Sequence, residues 1–356
     1  MTSPSERIFH LALRGLHTGA GATFRTRWGW SLPERYGDPA EEYAALRERA
    51  VLIDRSQRSR FLVTGTDAAV VLGRLFSGYV EELEEARALR VVALNEHGAI
   101  RDVAVVARTG AITYLVIGEP GQREETHARL QSAVEADFDV HIEDRTETTC
   151  LLELAGPAAE PAARANLSEG LPARLQALHC AAFEFHGFRS LAIRTSDTGE
   201  DGFAFMLAPA VAQHVIETLT AGGVRLCGYE AAESARVEGC IPAFDPDLVP
   251  GLSPAEADLD VLLGIPGGAE GRILSALLVE GANVVPSGTA IAIDGRAIGT
   301  LGSCVHSYGL NATIALGIID TREALPGREF DLSGAEALSG TKATVVAKPF
   351  LRRRTH

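Results

Sequence analysis

The sequence predicts an α+β fold: two related α+β portions followed by a small antiparallel barrel or sandwich. A strand, glycine and helix pattern occurs twice, Val63 leading into Gly65 and Ala68, then Leu154 into Gly156 and Ala159, which points to two related halves. From Pro246 to Gly271 proline and glycine thin the chain into a linker-like texture. Beyond it lie short strand-like runs and an Asp294-Gly295 hairpin signal, the marks of a small antiparallel module. The 356 residues exceed the ~100 to 200 of one domain. The expected boundaries are 1–262 for the α+β region, 263–272 for the linker and 273–356 for the last module.

Composition narrows the class. With 46% apolar and 22% charged residues, the chain is ordinary globular protein. A formal charge of -14 opposes general binding to nucleic acid or to a membrane surface, since polyanions are repelled at long range. No apolar run approaches the ~20 residues that span a bilayer, and the first residues show no signal peptide. The five cysteines, Cys150, Cys180, Cys227, Cys240 and Cys304, are odd in number and widely spaced. They read as reduced thiols in a cytoplasmic protein, with no metal site.

In chain order, residues 39–49 have helical composition with Tyr43, Leu46 and Ala50 on one face. RSRFLVTG reads as a strand, and TDAAVVLGRLFSG as a helix with Thr66 as N-cap. VVALNEHGAIRDVAVV reads as two strands meeting at an Asn-Glu-His-Gly corner, which puts Asp102 on the returning strand, where an Asp needs exposure or use to explain it. AITYLVIG is a strand and QREETHARLQSAVEA an amphipathic helix. After the second strand-Gly-helix unit come FRSLAIR, the turn TSDTGEDGF, the strand FAFML, the helix PAVAQHVIETLTAGG and the helix GYEAAESARVEG.

The polar constellations have plain readings on their own. TSDTGEDGF has the composition of a surface turn. A carboxylate there, such as Glu200, also has the geometry to accept a paired hydrogen bond from an amino-pyrimidine edge. Arg236 and Glu238, two apart on a helix, read as a solvated face. LGIPGGAEG lacks the Lys and Ser/Thr of a phosphate loop. His306 has no neighbouring Cys, His or acidic pair in sequence. Arg352, Arg353 and Arg354 read as a frayed terminus or as a clamp for polyglutamate carboxylates.

Taken in order, LH, GW, VTGTDAAVVLGRL, ALNEHGAIRD, TGEDGF, CGYEAAESARVEGCIPAFDPDL and a final KPF resemble the aminomethyltransferase family typified by the glycine cleavage T-protein. The resemblance spans nearly the whole chain. It implies two folate-cradling α+β portions and a C-terminal barrel in a cloverleaf. It also implies a cytoplasmic enzyme that moves a methyl or aminomethyl unit from a small N-, O- or S-linked donor to N5 of tetrahydrofolate. By that resemblance Asp102 is the catalytic acid, and Glu200, Arg236 and Glu238 meet the cofactor, with Gly121 on the turn that touches it. Arg90, Asp197 and His306 are expected around the donor from this chain's own residues.

The chain departs from the family pattern at several of these places. Val103 stands where a second acid usually follows, and Arg90 where a tyrosine precedes the corner. Gly121 occupies an Asn position, Asp197 precedes TGED in place of a tyrosine, and Ala204 follows it in place of an acid. These departures imply an altered donor pocket and a donor other than the lipoyl-bound aminomethyl group. The competing expectation is a non-catalytic folate-binding protein related to iron-sulfur assembly factors. Its Lys-Gly-Cys-Tyr segment is absent from LGIPGGAEG.

Overall fold

Two antiparallel-rich sheets face one another, and each carries helices on its outer side. A computed structural model describes residues 8–167, 171, 175–260, 268–333 and 340–354. The first sheet orders its strands Arg87–Leu94, Ile100–Gly110, Thr113–Gly118, Ser59–Thr64 and His141–Asp144, all antiparallel. The second runs Cys180–Phe185, Phe188–Ile193, Gly202–Leu207, Cys150–Ala155, Val51–Asp54 and Arg225–Leu226, the last pair being parallel.

The sheets meet through Val105, Ala107, Leu115 and Ile117 of the first and Leu151, Ile193 and Ala204 of the second. Outside the first sheet, helix Ala68–Leu75 buries Ala68 and Leu72, and helix Arg123–Ser132 buries Leu130. Helices Ala159–Asn166 and Pro209–Ala221 cover the second in the same way.

The two strand-Gly-helix units have the same backbone. Gly65 and Gly156 both lie at φ +126°, and the N–H three residues on returns to the glycine carbonyl in each, Ala68 at 3.2 Å and Ala159 at 2.9 Å. An added Cβ would come within 1.9 Å of the Asp139 carbonyl oxygen at Gly65 and 2.5 Å of the Arg49 oxygen at Gly156. Positive φ and close backbone approach together require glycine at both. The expected Thr66 cap does not form: Asp67 is the N-cap residue, and the Thr66 hydroxyl reaches Asp139 at 3.2 Å. Asp38 does cap helix Pro39–Glu48, accepting from the Ala40 N–H at 2.9 Å.

The last module is a closed antiparallel barrel of six strands, Arg272–Val279, Ala312–Asp320, Arg296–Ser307, Ala290–Ile293, Glu329–Ser333 and Lys342–Val346. Asp294 and Gly295, at φ +50° and +77°, form the expected two-residue hairpin turn. The expected linker falls partly on 263–267, outside the described residues. A small N-terminal sheet, in which Phe9–His10 and Thr23–Arg27 flank Trp30–Arg35, brings Trp28 over the junction of these parts.

Candidate functional site

Between the two sheets lies a cavity whose first wall is set by the alternation of strand Ile100–Gly110. Val103 and Val105 project into it, as residues two apart on a strand must share a face. Asp102 therefore points the other way. Its carboxylate lies under helix Arg123–Ser132, accepting from the Thr126 hydroxyl and, at 2.8 Å, from the Val103 N–H. Oδ2 would stand 3.6 Å from a Cβ placed on Gly118, an ordinary contact that puts that position on the Asp102 side of the sheet.

Asp102 is 1% exposed. Burial pushes its pKa up to about 7, against the lowering pull of the Thr126 hydroxyl. Strand alternation gives the place at the cavity lining to Val103, with Asp102 on the opposite side of the strand.

The floor comes from the turn Arg55–Arg58, joining strand Val51–Asp54 of one sheet to Ser59–Thr64 of the other. Arg55 pairs with Glu153 at 2.6 Å and lies over the Tyr229 ring, 4.9 Å from its centroid. The guanidinium is near enough to the Tyr229 hydroxyl to act on its ionisation, and Nη2 is buried with no hydrogen-bond partner among the described residues. Gln57 donates Nε2 to that hydroxyl and leaves Oε1 buried and unpartnered. An orphaned buried donor or acceptor costs ~1–3 kcal/mol. Arg55 and Gln57 both line the cavity floor, and each leaves one such group unused.

The opposite wall is charged. Arg90 and Asp197, both expected at the donor, do line the cavity, but they bind each other at 3.1 Å. Arg58 holds the other Asp197 oxygen. Burial alone would raise the Asp197 carboxyl, and the Arg58 and Arg90 guanidinium groups outweigh it and hold the group well below the usual range.

Arg236 also reaches the cavity. All five of its N–H donors are engaged, by Glu233, Asp247, the Ile241 carbonyl and Ser303. It orders the wall rather than offering a hand to a ligand. Glu233 is half-buried; desolvation pulls its pKa up, and the Arg236 charge outweighs that and brings it below the usual carboxylate range. Glu119 has a single ion pair, Arg58 Nη2 at 3.3 Å, and burial raises its pKa.

The remaining expected residues lie off this cavity. Glu200 is fully buried with one oxygen on Arg47 at 2.7 Å and the other unpartnered. Glu238 takes Arg47, the Tyr43 hydroxyl and the Ser307 hydroxyl, each at 2.5 Å. Glu200 and Glu238 are thus placed beside Arg47, away from the cavity lining. Both carboxylates bind one half-buried arginine that ties helix Pro39–Glu48 to helix Tyr229–Glu238, with Ser307 adding the barrel. Neither helix residue, Arg236 or Glu238, is on a solvated face. His306 packs edge-on against Tyr308, 5.0 Å between centroids, away from the cavity lining. Among the described residues no group of three or more His, Cys, Asp or Glu side chains is placed to hold a metal.

Gly121 lines an adjoining outer cleft with Gln122, Pro246 and Thr300. The inner cavity holds about 120 Å³ and the cleft about 530 Å³, together within the span of small-molecule sites. Trp28, Glu119 and Pro120 belong to both, and Trp28 is fixed there by its Nε1–H on Asp245 at 2.9 Å. Arg353, from the expected basic tail, also lines the cavity while donating to the Gly239 and Cys240 carbonyls at 2.6 and 2.8 Å, so this end of the chain is tied down.

Sequence reasoning passed over Arg55, Gln57, Arg58, Glu119, Tyr229 and Glu233. The available signal was RSQRSR, three arginines and a glutamine within six residues of an acidic chain.

Comparison with known proteins agrees with this architecture. Residues 13–265 match the family model for the GCVT N-terminal domain, and residues 272–351 that for the glycine cleavage T-protein C-terminal barrel domain. A protein named Aminomethyltransferase from Streptomyces coelicolor is 29% identical, over 98% of this chain and 99% of its own. A namesake from Geobacillus kaustophilus is 28% identical, over 91% and 93%. The crystal structure of glycine cleavage system aminomethyltransferase T from Bartonella henselae superimposes with a TM-score of 0.87 at 22% identity, over 98% and 99% of the two chains, which shows the shared fold. The chain belongs to the glycine cleavage T-protein family of aminomethyltransferases, enzymes that use tetrahydrofolate as a cosubstrate.

Proposed function

We propose that the chain moves a one-carbon unit from a small N-, O- or S-linked donor to N5 of tetrahydrofolate, and that its donor differs from that of glycine cleavage. The observation that carries the reading is the unpartnered pair on the cavity floor, Arg55 Nη2 and Gln57 Oε1. A donor beside an acceptor matches the amide edge of a pterin, which presents a ring N–H next to a carbonyl oxygen. Val103, Val105, Trp28 and Tyr229 supply apolar surface for the ring, and Arg353 a cation for the glutamate carboxylates. Bound there, tetrahydrofolate supplies the nucleophilic nitrogen. The chain's contribution is to hold it beside the donor and keep water out, and positioning of two reactants is worth up to ~7–11 kcal/mol of the barrier.

A changed donor is supported by the Arg90–Asp197 pair on the cavity wall and by Val103, an apolar residue at the reacting end. The five unpaired cysteines are in keeping with a reducing, cytoplasmic compartment, and no described helix is long and apolar enough to cross a membrane.

The test is incubation with tetrahydrofolate and a panel of methylated amines, ethers and thioethers, beside a lipoyl-bound aminomethyl donor. The expected result is 5-methyl- or 5,10-methylene-tetrahydrofolate formed with a small donor. Turnover confined to the lipoyl-bound donor would refute the changed specificity. Binding without product from any donor would make the chain a folate-binding protein instead.

A further inference from the structure

We propose that Glu119 is the acid–base residue of this chain, standing where donor and acceptor meet; the assignment rests on the one-carbon transfer reading above. Its position follows from register. Strands Ile100–Gly110 and Thr113–Gly118 pair Val105 with Ile117, and continuing the antiparallel register by two residues sets Glu119 across from Val103. Residues opposite each other in such a pair have Cβ atoms roughly 4.5–5.5 Å apart on one face. Gly118 faces the Asp102 side, so Glu119 faces the cavity. The carboxylate missing from the reacting end of the strand that carries Asp102 is thus present on its neighbour.

Three further features single it out. A two-substrate transfer needs its proton-handling group at the meeting point, and of the three residues shared by cavity and cleft, Trp28, Glu119 and Pro120, Glu119 is the titratable one. It is also lightly committed among the acids of the cavity wall, where Asp258 pairs with Lys348 at 3.0 Å. Asp197 has two arginines and Glu233 is forked by Arg236, whereas Glu119 has one long contact to Arg58 at 3.3 Å. Extended backbone at φ -79°, ψ 148°, followed by Pro120, fixes its direction. The charged groups acting on it are Arg58, Asp197, Arg236 and Arg55. Burial outweighs the cations and makes Glu119 a stronger base than an exposed glutamate.

In the transfer, the acceptor nitrogen bonds to the one-carbon unit and sheds its proton to the Glu119 carboxylate. Glu119 returns that proton to the donor heteroatom as the bond from carbon to that heteroatom breaks. One N–C bond forms, one carbon–heteroatom bond breaks, one proton moves between the two, and no oxidant is required.

Glu119→Gln keeps the size and the Arg58 contact and removes the base. Turnover should fall ~100- to 10,000-fold, while the tetrahydrofolate Kd, read by calorimetry, should stay within about threefold. In protein with 13C-labelled glutamate carboxyls and no ligand, a resonance titrating above the ordinary glutamate range should vanish in Glu119→Gln. Turnover within threefold of wild type, or an unchanged set of titrating resonances, would overturn the proposal. Absence of product from the wild type itself would refute the transfer reading, and the assignment of Glu119 with it.

Discussion

Arg47→Met should cost about 3–5 kcal/mol of stability, read as a lowered midpoint of urea unfolding. Arg47 is the single cation between Glu200 and Glu238, whose side chains are fully buried while its own is 12% exposed. Without it Glu238 keeps the Tyr43 and Ser307 hydroxyls, but Glu200 is left with no partner for either oxygen. An unpaired buried charge is far costlier than a missing surface pair. The double variant Arg47→Met, Glu200→Gln should lose less than the two single losses added, because the second change removes the charge that the first exposed. Additive losses would show that the three side chains do not act as one unit.

Asp102→Asn should stabilise the protein at pH 8 and leave it unchanged or weaker at pH 4, with turnover within about threefold of wild type. Folding raises the Asp102 pKa from 3.8 to about 7, so the native state favours the protonated carboxyl. The stability this group contributes is fully present below pH ~4 and is lost as pH rises through about 7. Asparagine does not titrate and escapes the loss, which has a ceiling of ~4 kcal/mol and an expected size of ~2 kcal/mol or more. Urea midpoints of the two proteins at pH 4, 6 and 8 check the sign and the window. A hundredfold fall in turnover would return Asp102 to the mechanism.

These two residues show how far the sequence could be read. The corner around Asn95 is there, its side chain accepting from the His97 and Ala99 N–H groups at 2.9 Å each. So are the doubled glycine units and the Asp294-Gly295 turn, because each depends on residues close together in the chain. Which side of the sheet Asp102 occupies was not legible. Val103, Ala104, Val105 and Val106 are all apolar since both faces of that strand are covered, and an unbroken apolar run hides the alternation.

The surroundings of Glu200 were hidden for a different reason. Its partner Arg47 lies 153 positions away, and nothing local distinguishes a carboxylate aimed at a ligand from one aimed at a distant helix. Arg236 and Glu238 read as solvated for the same reason, their partners Asp247, Ser303, Tyr43 and Ser307 coming from distant elements, the two serines from the barrel. The floor residues Arg55 and Gln57 look like the lead-in to a strand until two sheets close over them.

The central claim is that the cavity bearing Val103, and not the position of Glu200, receives tetrahydrofolate. Calorimetric titration of tetrahydrofolate into wild type, Val103→Phe and Glu200→Gln tests it directly. The account expects a Kd at least tenfold weaker for Val103→Phe, whose ring fills part of the cavity, and one within threefold of wild type for Glu200→Gln. Equal affinity in Val103→Phe, or affinity lost in Glu200→Gln while that variant remains folded, would contradict it.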